Sequence, residues 1–379
     1  KSLLTCLLGA AIAIPLVSWG GTYVDYPLLA EFSPKIHRLT NWFLFIPIAV
    51  ILGGRIKNVM LVFLLALCGA VSASFVTGSG WQEWLLGFKG IRVNFGLHNA
   101  QHAALLYGTC LLGLVSFAGR FLGTKNRWCL IRLVLWIAAF LLCSFAVIFS
   151  QSRGIWLGLI GASALCLPCV LFYCQLRKRN SKRFWLILVL CVLMGLCLFW
   201  SLDSMNSIVS SRFATESGNV QRFFSGDISG LESTSIGVRL ISWSTAWSWI
   251  KKSPLIGWGG EGRHLVMEDS GIPGNYGHLH SSYLDLLVSY GVLGGLLFFF
   301  LIWWLLNRSL QVWREGGMPI DLLLFFWLFI VFWLIVNFFE SYMFFSSGIY
   351  IFNIVCGAIL THVWQNDCQK DKVNVQSPK

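Results

Sequence analysis

The sequence predicts an all-α integral membrane protein, folded as a polytopic helical bundle with one large loop subdomain outside the membrane. Of its 379 residues, 56% are hydrophobic and 12% are charged, against about 25% charged in soluble domains. Apolar runs long enough to cross the roughly 30 Å of hydrocarbon in a bilayer recur along the chain. Blocks such as Gly294 to Leu306 are apolar on every face, which favours helices over alternating barrel strands.

We expect ten membrane spans. The first six are predicted at Leu3 to Val17, Asn41 to Leu52, Val59 to Val76, Ala103 to Phe117, Leu133 to Phe149 and Ile155 to Tyr173. A seventh precedes Trp200, and three more follow residue 281, beginning with the apolar run from Leu286 to Leu306.

The formal net charge of +12 lies mainly in short turns between the apolar runs. These turns are at residues 53–57, 120–132, 177–183 and 308–314. Alternate counting of the spans puts all of them on one side with the C-terminal tail, and an excess of Lys and Arg marks that side as cytoplasmic. The charge therefore indicates membrane topology, and we expect no nucleic-acid partner.

The same counting divides the chain into four parts. Residues 1–202 hold about seven spans, 203–280 form the polar loop subdomain, 281–364 hold about three spans, and 365–379 are a cytoplasmic tail. The twelve cysteines lie almost entirely in apolar segments, which indicates small core residues and no disulfide or zinc framework. Because the first residue is Lys1 and not Met, we expect that upstream residues, including early spans, are missing.

Two histidines, His278 and His280, lie where the polar loop turns into an apolar run. Ser281 and Ser282 are good N-cap residues, so the histidines precede a helix start, whose dipole favours neutral imidazole. We predict that His280, next to the helix, is the catalytic base. His278 is counted with the substrate-binding residues, as a structural or interfacial hydrogen bonder, because residues two apart on regular backbone do not share one role. The alternative is that both only satisfy polar backbone at the membrane surface.

Arg153 occupies a turn a few residues wide on the predicted non-cytoplasmic side, where positive charge is disfavoured. Arg239 lies on the same side in the segment that leads to the histidines, and Arg92 is a further candidate. Guanidinium groups bind diphosphate through charge-assisted hydrogen bonds and stabilise the charge on a departing diphosphate. With a histidine base, this set predicts transfer of a group carried on phosphate. The alternative for Arg153 is contact with lipid headgroups, as is usual for a lone arginine at a helix end.

Glu340 is a carboxylate at a membrane edge, predicted to orient His280, to pair with an arginine, or to serve an interfacial structural role. We expect no metal, because no Asp-x-Asp or Glu-x-Asp pair lies on this side. His98 and His102 have the i, i+4 spacing of a metal pair, but without a third ligand a polar helix face is the favoured interpretation.

Four motifs occur in order, with a long loop among them. They are Gln151-Ser152-Arg153-Gly154, Ser235-Ile236-Gly237-Val238-Arg239-Leu240, Lys252-Ser253-Pro254 and His278-Leu279-His280-Ser281. Over roughly residues 90 to 360 the chain thereby resembles the bacterial O-antigen ligases, most specifically in the arginines and the His-Leu-His-Ser signature. The wider superfamily also contains O-antigen polymerases and protein O-oligosaccharyltransferases.

The resemblance implies a GT-C-like glycosyltransferase of the bacterial inner membrane with its active site in the periplasm. Such an enzyme moves O-antigen polysaccharide from undecaprenyl pyrophosphate to the lipid A core among membrane lipids, with inversion and without metal or other cofactor. It also implies functional roles for Arg153, Arg239 and His280, and an acidic residue at Glu340. Ligases of this type usually have about two more spans, in line with the expectation from Lys1.

Three alternatives remain at this point, one of them a protein O-oligosaccharyltransferase of the same superfamily. An O-antigen polymerase has the same donor but a second carrier-linked glycan as acceptor. A transporter or flippase predicts charged residues in mid-span facing a cavity, whereas the arginines and histidines here gather at one predicted surface.

Overall fold

The computed structural model describes residues 2–30, 32–123, 127–176, 218, 221–225, 235–272 and 277–376. Within these ranges every regular element is a helix and no strand occurs, which confirms the all-α class. The α-helices are α1 (Ser2–Asp25), α2 (His37–Thr40), α3 (Phe45–Leu52), α4 (Ile56–Val76), α5 (Trp81–Phe88), α6 (Ala100–Leu122), α7 (Cys129–Phe149), α8 (Arg153–Leu176), α9 (Ser235–Lys252), α10 (Gly262–Asp269), α11 (Ser282–Arg314), α12 (Ile320–Val336) and α13 (Ser346–Gln376). A 3-10 turn, Asn41–Phe43, connects α2 to α3.

Six of the described helices are long and apolar enough to cross a membrane. They are Leu3–Asp25, Ile56–Val76, Ala100–Leu122, Cys129–Phe149, Ser282–Arg314 and Ser346–Lys372. Shorter apolar helices occur at His37–Leu52, Arg153–Leu165 and Ile320–Val336. The multi-pass membrane class is therefore confirmed. The predicted span before Trp200 and the basic run at 177–183 lie outside the described residues, so the count of ten stays a prediction.

Several helices extend beyond the apolar runs that predicted them. α1 continues past Val17 to Asp25, and α11 begins before Leu286 and ends after Leu306. Hydropathy detects the part of a helix that lies in hydrocarbon, whereas backbone hydrogen bonding continues into the polar ends. The N-terminal end of α6 is marked by a cap, because the side chain of Asn99 accepts hydrogen bonds from the backbone N–H groups of Gln101 and His102.

The chain forms two compact units, each assembled from separate stretches. Unit 1 comprises Lys1–Leu44, Asn206–Leu305 and Asn337–Ile349, and unit 2 comprises Phe45–Met205, Leu306–Val336 and Tyr350–Lys379. The predicted division at residues 202, 280 and 364 follows topology and stays a prediction. Most of the predicted loop subdomain before Ser235 lies outside the described residues.

In unit 2, glycines let α8 and α6 approach α12 closely. A Cβ added at Gly158 would lie 2.6 Å from Val336 Cγ1, and one at Gly161 would lie 2.5 Å from Ile335 Cδ1. On α6, Gly108 faces Phe332 in the same way, at 3.1 Å. Small residues at helix contacts are how membrane helices gain packing without a hydrophobic driving force. This packing positions the start of α8, where Arg153 lies.

In unit 1, α9 and α10 pack on a buried apolar cluster that includes the start of α11. Its members are Val238, Ala246, Trp249, Ile250, Trp258, Val266, Met267, Ile272, Leu279 and Val288. Leu279 is completely buried between the two candidate histidines. α9 ends at Lys252, in a Lys-Lys pair two residues before Pro254, and basic residues followed by proline are common at the C-terminal end of a helix.

The segment Gly257–Gly260 is held by hydrogen bonds to α11. The N–H groups of Trp258 and Gly259 donate to the carbonyls of Val288 and Ser289, both at 2.9 Å. These carbonyls are available because Gly291, with φ of +58°, interrupts the helix. A kink in a membrane helix requires such substitute partners for its backbone groups. The loop is therefore a structural support of α11.

Candidate active site

His278, His280 and Glu340 form one polar cluster in unit 1. Nε2 of His278 lies 2.9 Å from Oε1 of Glu340, and Nδ1 of His280 lies 3.3 Å from its Oε2. The two ring nitrogens are 3.2 Å apart because both face the same carboxylate. Glu340 is 1% exposed, so this charge is almost completely removed from solvent. Glu340 thus contacts both histidines, and that it orients His280 stays a prediction.

The backbone between the histidines explains why both rings reach one carboxylate. His280 has φ of +51°, in the left-handed region that histidine adopts more readily than most side chains. Leu279 between them is fixed at both ends: its N–H donates to Asp285 Oδ1 at 3.0 Å, and its carbonyl accepts from Trp243 Nε1 at 2.8 Å. The prediction that the two histidines have different roles assumed regular backbone. The backbone is irregular here and both rings face one carboxylate, and the difference in role stays a prediction.

The loop that carries Glu340 is tied to the start of α11. Ser282 N–H donates to the carbonyl of Asn337 at 2.9 Å, and its hydroxyl contacts Asn337 Oδ1 and the carbonyl of Glu340. Met343 N–H also lies within hydrogen-bonding distance of that hydroxyl, at 3.2 Å. Ser282, predicted as a helix cap, thus connects the histidine segment to the glutamate loop.

The electrostatics of the cluster keep Glu340 ionised. Burial by itself raises the pKa of this carboxyl, but hydrogen bonds from His278 and His280 outweigh burial and lower the pKa well below its usual range. Oε1 also accepts the backbone N–H of Ser341 at 3.0 Å. Because an ionised carboxylate only accepts hydrogen bonds, contact with Glu340 requires the proton of His280 on Nδ1, so a general base at this ring uses Nε2. That tautomer is the one a general base requires.

Arg239, on α9, lies beside the same loop. Its Nη2 is 3.5 Å from the carbonyl of Phe339, the residue before Glu340. A predicted phosphate-binding residue is thereby brought next to the histidine–glutamate cluster within unit 1.

Arg153 and Arg92 belong to unit 2, where they lie on neighbouring segments. Arg153 begins α8 and is exposed. Arg92 Nε donates to the carbonyl of Ser150 at 3.0 Å, and Gln151, with φ of +48°, donates to the carbonyl of Gly90 at 2.8 Å. The turn before α8 is therefore built against residues 90–93. That these two arginines share a pocket with His280 stays a prediction.

His278, His280 and Glu340 are also a set able to hold a metal ion, with ligand atoms within 4.8 Å of one another. Two imidazoles and a carboxylate suit zinc. The same geometry is accounted for by two N–H donors on one carboxylate, so the metal-free expectation remains open to a direct test. His98 and His102 stack edge to face with ring centroids 5.3 Å apart, and no third ligand joins them among the described residues.

Sequence reasoning missed a second charged group in unit 1. Glu261 contacts Lys35, Arg38 Nη2 at 3.1 Å and His264 Nε2 at 3.1 Å. Arg263 lies between Glu261 and His264 in sequence, and its guanidinium carbon is 5.7 Å from the ring centre of Phe344. The available signal was the run Glu261-Gly262-Arg263-His264, which is unusually polar for this chain.

Comparison with known proteins gives one family. Residues 137–299 match the family model described as O-Antigen ligase. The matched segment contains Arg153, Arg239, His278 and His280, and it ends before Glu340. No curated protein matches the chain.

Proposed function

We propose that this multi-pass membrane protein, whose residues 137–299 match the O-antigen ligase family model, transfers O-antigen polysaccharide from undecaprenyl pyrophosphate to the lipid A core. The reaction takes place in the periplasmic leaflet of the inner membrane. It proceeds by direct displacement with inversion and without a metal ion.

The observation that carries this proposal is the contact between His280 and Glu340. A buried, ionised carboxylate that accepts the Nδ1–H of His280 orients the ring, and in the proposal Nε2 is the nitrogen that takes the substrate proton. The carboxylate also stabilises the imidazolium that forms when that proton is taken. General base catalysis of this kind contributes about 10²–10⁴-fold in rate.

The transfer step involves one proton and one glycosyl group. His280 Nε2 removes the proton of the acceptor hydroxyl, and the oxygen attacks the anomeric carbon of the donor sugar. The bond from that carbon to the diphosphate oxygen breaks, and its electron pair leaves with undecaprenyl pyrophosphate. The imidazolium then gives its proton to the solvent or to the released diphosphate.

The leaving diphosphate gains negative charge and requires cationic partners. In the proposal, Arg239, Arg153 and Arg92 supply them, with bidentate guanidinium contacts to phosphate oxygens. Arg239 is supported by its position beside the Glu340 loop. His278 Nε2 donates to Glu340 and holds the carboxylate in place.

The proposal is tested by His280→Ala in a strain that displays capped lipopolysaccharide. We expect normal abundance in the membrane and loss of O-antigen from the core. His37→Ala is the matched control, since His37 is an exposed histidine of the same unit. Wild-type levels of capped lipopolysaccharide in the His280 variant would refute the assignment of the base.

Deletion of the protein separates ligase from polymerase activity. Loss of a ligase strands long polymer on the carrier lipid, whereas loss of a polymerase leaves a single unit on the core. The proposal requires the first pattern.

A further inference from the structure

Arg263 is the feature of unit 1 that the proposed reaction does not use. It is the second residue of α10, whose first residue packs against α11: a Cβ added at Gly262 would lie 3.2 Å from both Cγ1 and the carbonyl oxygen of Val288. Because α11 begins beside His280, the start of α10 is positioned by the same helix that supports the proposed base.

Two contacts, one of Arg263 with Phe344 and one of His264 with Gly277, place the start of α10 next to the histidine–glutamate cluster. Its guanidinium lies over Phe344, within the roughly 6 Å at which a cation and an aromatic ring attract. The next residue along, Phe345, has its ring centre 5.0 Å from that of His278. On the other side, a Cβ added at Gly277 would lie 2.9 Å from Cε1 of His264. The start of α10 therefore adjoins both the Glu340 loop and the residue before His278.

The guanidinium of Arg263 has no anionic partner among the described residues. Its Nε is buried without a hydrogen bond there, and no ion pair to it occurs in that part of the chain. A half-buried arginine with an unsatisfied donor is costly unless an anion completes it. Glu261, the nearest carboxylate in sequence, already contacts Lys35 and Arg38.

The surroundings are net positive as well. The pKa of His264 is lowered to about 4, first by burial and then by the charges of Arg263, Arg38 and Lys35. Three permanent cations therefore act on one imidazole, whereas two carboxylates of this region, Glu261 and Glu340, carry the opposite charge. Such a field attracts a multiply charged anion.

We propose that Arg263 binds an oxygen of a substrate phosphate group beside the His278–His280–Glu340 cluster. Phosphate is the chemistry that a guanidinium fork recognises best. Two substrates of the proposed reaction carry it: the donor, in its diphosphate, and an acceptor core that bears phosphoryl groups. The inference rests on the proposed function, and the experiment below distinguishes the two sources.

The experiment compares purified wild-type protein in lipid nanodiscs with Arg263→Gln, which removes the charge, and Arg263→Lys, which retains it. The KM is measured for the undecaprenyl-pyrophosphate glycan and for core acceptor with and without its phosphates. We expect Arg263→Gln to raise one KM about 10- to 100-fold, the loss typical of a hydrogen bond to a charged group, and Arg263→Lys to restore part of it. The matched control is Arg314→Gln, because Arg314 is exposed at the far end of α11.

A higher KM for the donor alone identifies the diphosphate as the ligand. A higher KM for the phosphorylated acceptor, absent with the dephosphorylated one, identifies the acceptor phosphate. Unchanged KM values for both substrates would overturn the proposal. So would an equal rise in KM for the phosphorylated and the dephosphorylated acceptor with no change in the KM of the donor. A loss of thermal stability in Arg263→Gln with normal KM values would assign the residue a structural role on Phe344 instead.

Titration with inorganic pyrophosphate keeps this inference separate from the proposed function. Wild-type protein and His280→Ala are expected to bind pyrophosphate equally, and Arg263→Gln about tenfold or more weakly. If wild-type protein fails to transfer glycan, the proposed function fails, and the pyrophosphate titration still decides the role of Arg263. Equal binding by the wild-type protein and Arg263→Gln, together with unchanged KM values, would end the inference.

Discussion

Replacement of Glu340 by Gln tests the active site with almost no change of shape. In the protein both carboxylate oxygens face ring nitrogens, at 2.9 Å for His278 and 3.3 Å for His280. A glutamine presents one oxygen and one NH₂ group to the same two nitrogens. The NH₂ group then faces a ring N–H, so one imidazole must change its tautomer or lose its hydrogen bond.

The size of the effect follows from which ring changes. If His280 places its proton on Nε2, it cannot accept the acceptor proton, and the wrong tautomer in a comparable carboxylate–imidazole pair costs about 10⁴ in kcat. If His278 changes instead, the reaction loses only the stabilisation of the imidazolium by a buried charge. We therefore expect kcat to fall by about 10²- to 10⁴-fold, which at about 1.4 kcal/mol per tenfold is about 3–5 kcal/mol of transition-state stabilisation.

The assay is transfer of glycan from purified undecaprenyl-pyrophosphate donor to core acceptor, with the thermal stability of each variant measured in parallel. Glu315→Gln is the matched control, because Glu315 is also an ionised carboxylate whose pKa is lowered to about 2 by Lys370 and Asn366, but at the opposite end of α11. A Glu340→Gln protein that is folded and transfers glycan within threefold of wild type would refute the orientation of His280 by this carboxylate.

The remaining predictions concern metal, backbone and pH. Chelation with EDTA is expected to leave transfer unchanged, and a loss that zinc restores would show that His278, His280 and Glu340 hold a catalytic metal. Gly257→Ala should lower the free energy of unfolding by about 2 kcal/mol or more, since Gly257 has φ of +69° and the new Cβ would lie 2.5 Å from the Ser289 backbone. The control Gly316→Ala has φ of +81° but open space around the new Cβ, so it should lower the free energy of unfolding about half as much. Equal shifts of the unfolding temperature in the two variants would contradict the close contact at Gly257. In the folded protein the pKa of His264 is about 4, below the ordinary value of about 6.5 that applies to the unfolded chain. As the pH falls, the unfolded state is therefore protonated before the folded state. The stability of the protein is then highest above pH about 6.5 and decreases towards pH about 4. In His264→Gln the thermal unfolding midpoint should depend less on pH over that interval. An unchanged pH dependence would contradict a lowered pKa of His264.

Much of the fold was predictable from the sequence because a bilayer imposes one simple rule. Backbone polar groups in hydrocarbon are satisfied within helices, so apolar runs of sufficient length reveal the spans without knowledge of their packing. The ends were less predictable, as at Asp25 of α1, because hydropathy stops where the helix becomes polar and the hydrogen bonding does not.

The identities of the candidate residues were predictable from the sequence, but their contacts with one another were only partly predictable. His280 and Arg239 were identified because charged and titratable groups are rare in this chain. Their environment depends on Glu340, which lies sixty residues from His280 in sequence, and no local pattern encodes such a contact. Arg263 was missed because its importance lies in the partner it lacks among the described residues, and a sequence cannot display the absence of a contact.

The sequence by itself determined that this is an α-helical, multi-pass membrane protein, and it contains the motifs that resemble those of the O-antigen ligases, whose family model matches residues 137–299. Only the tertiary structure decided that one buried carboxylate serves both histidines. The physical reason is the left-handed backbone at His280, which is stabilised by distant hydrogen bonds of Leu279 to Trp243 and of Ser282 to Asn337. Periodicity describes regular backbone, whereas this centre is formed where the backbone is irregular and is held in place by contacts far apart in sequence.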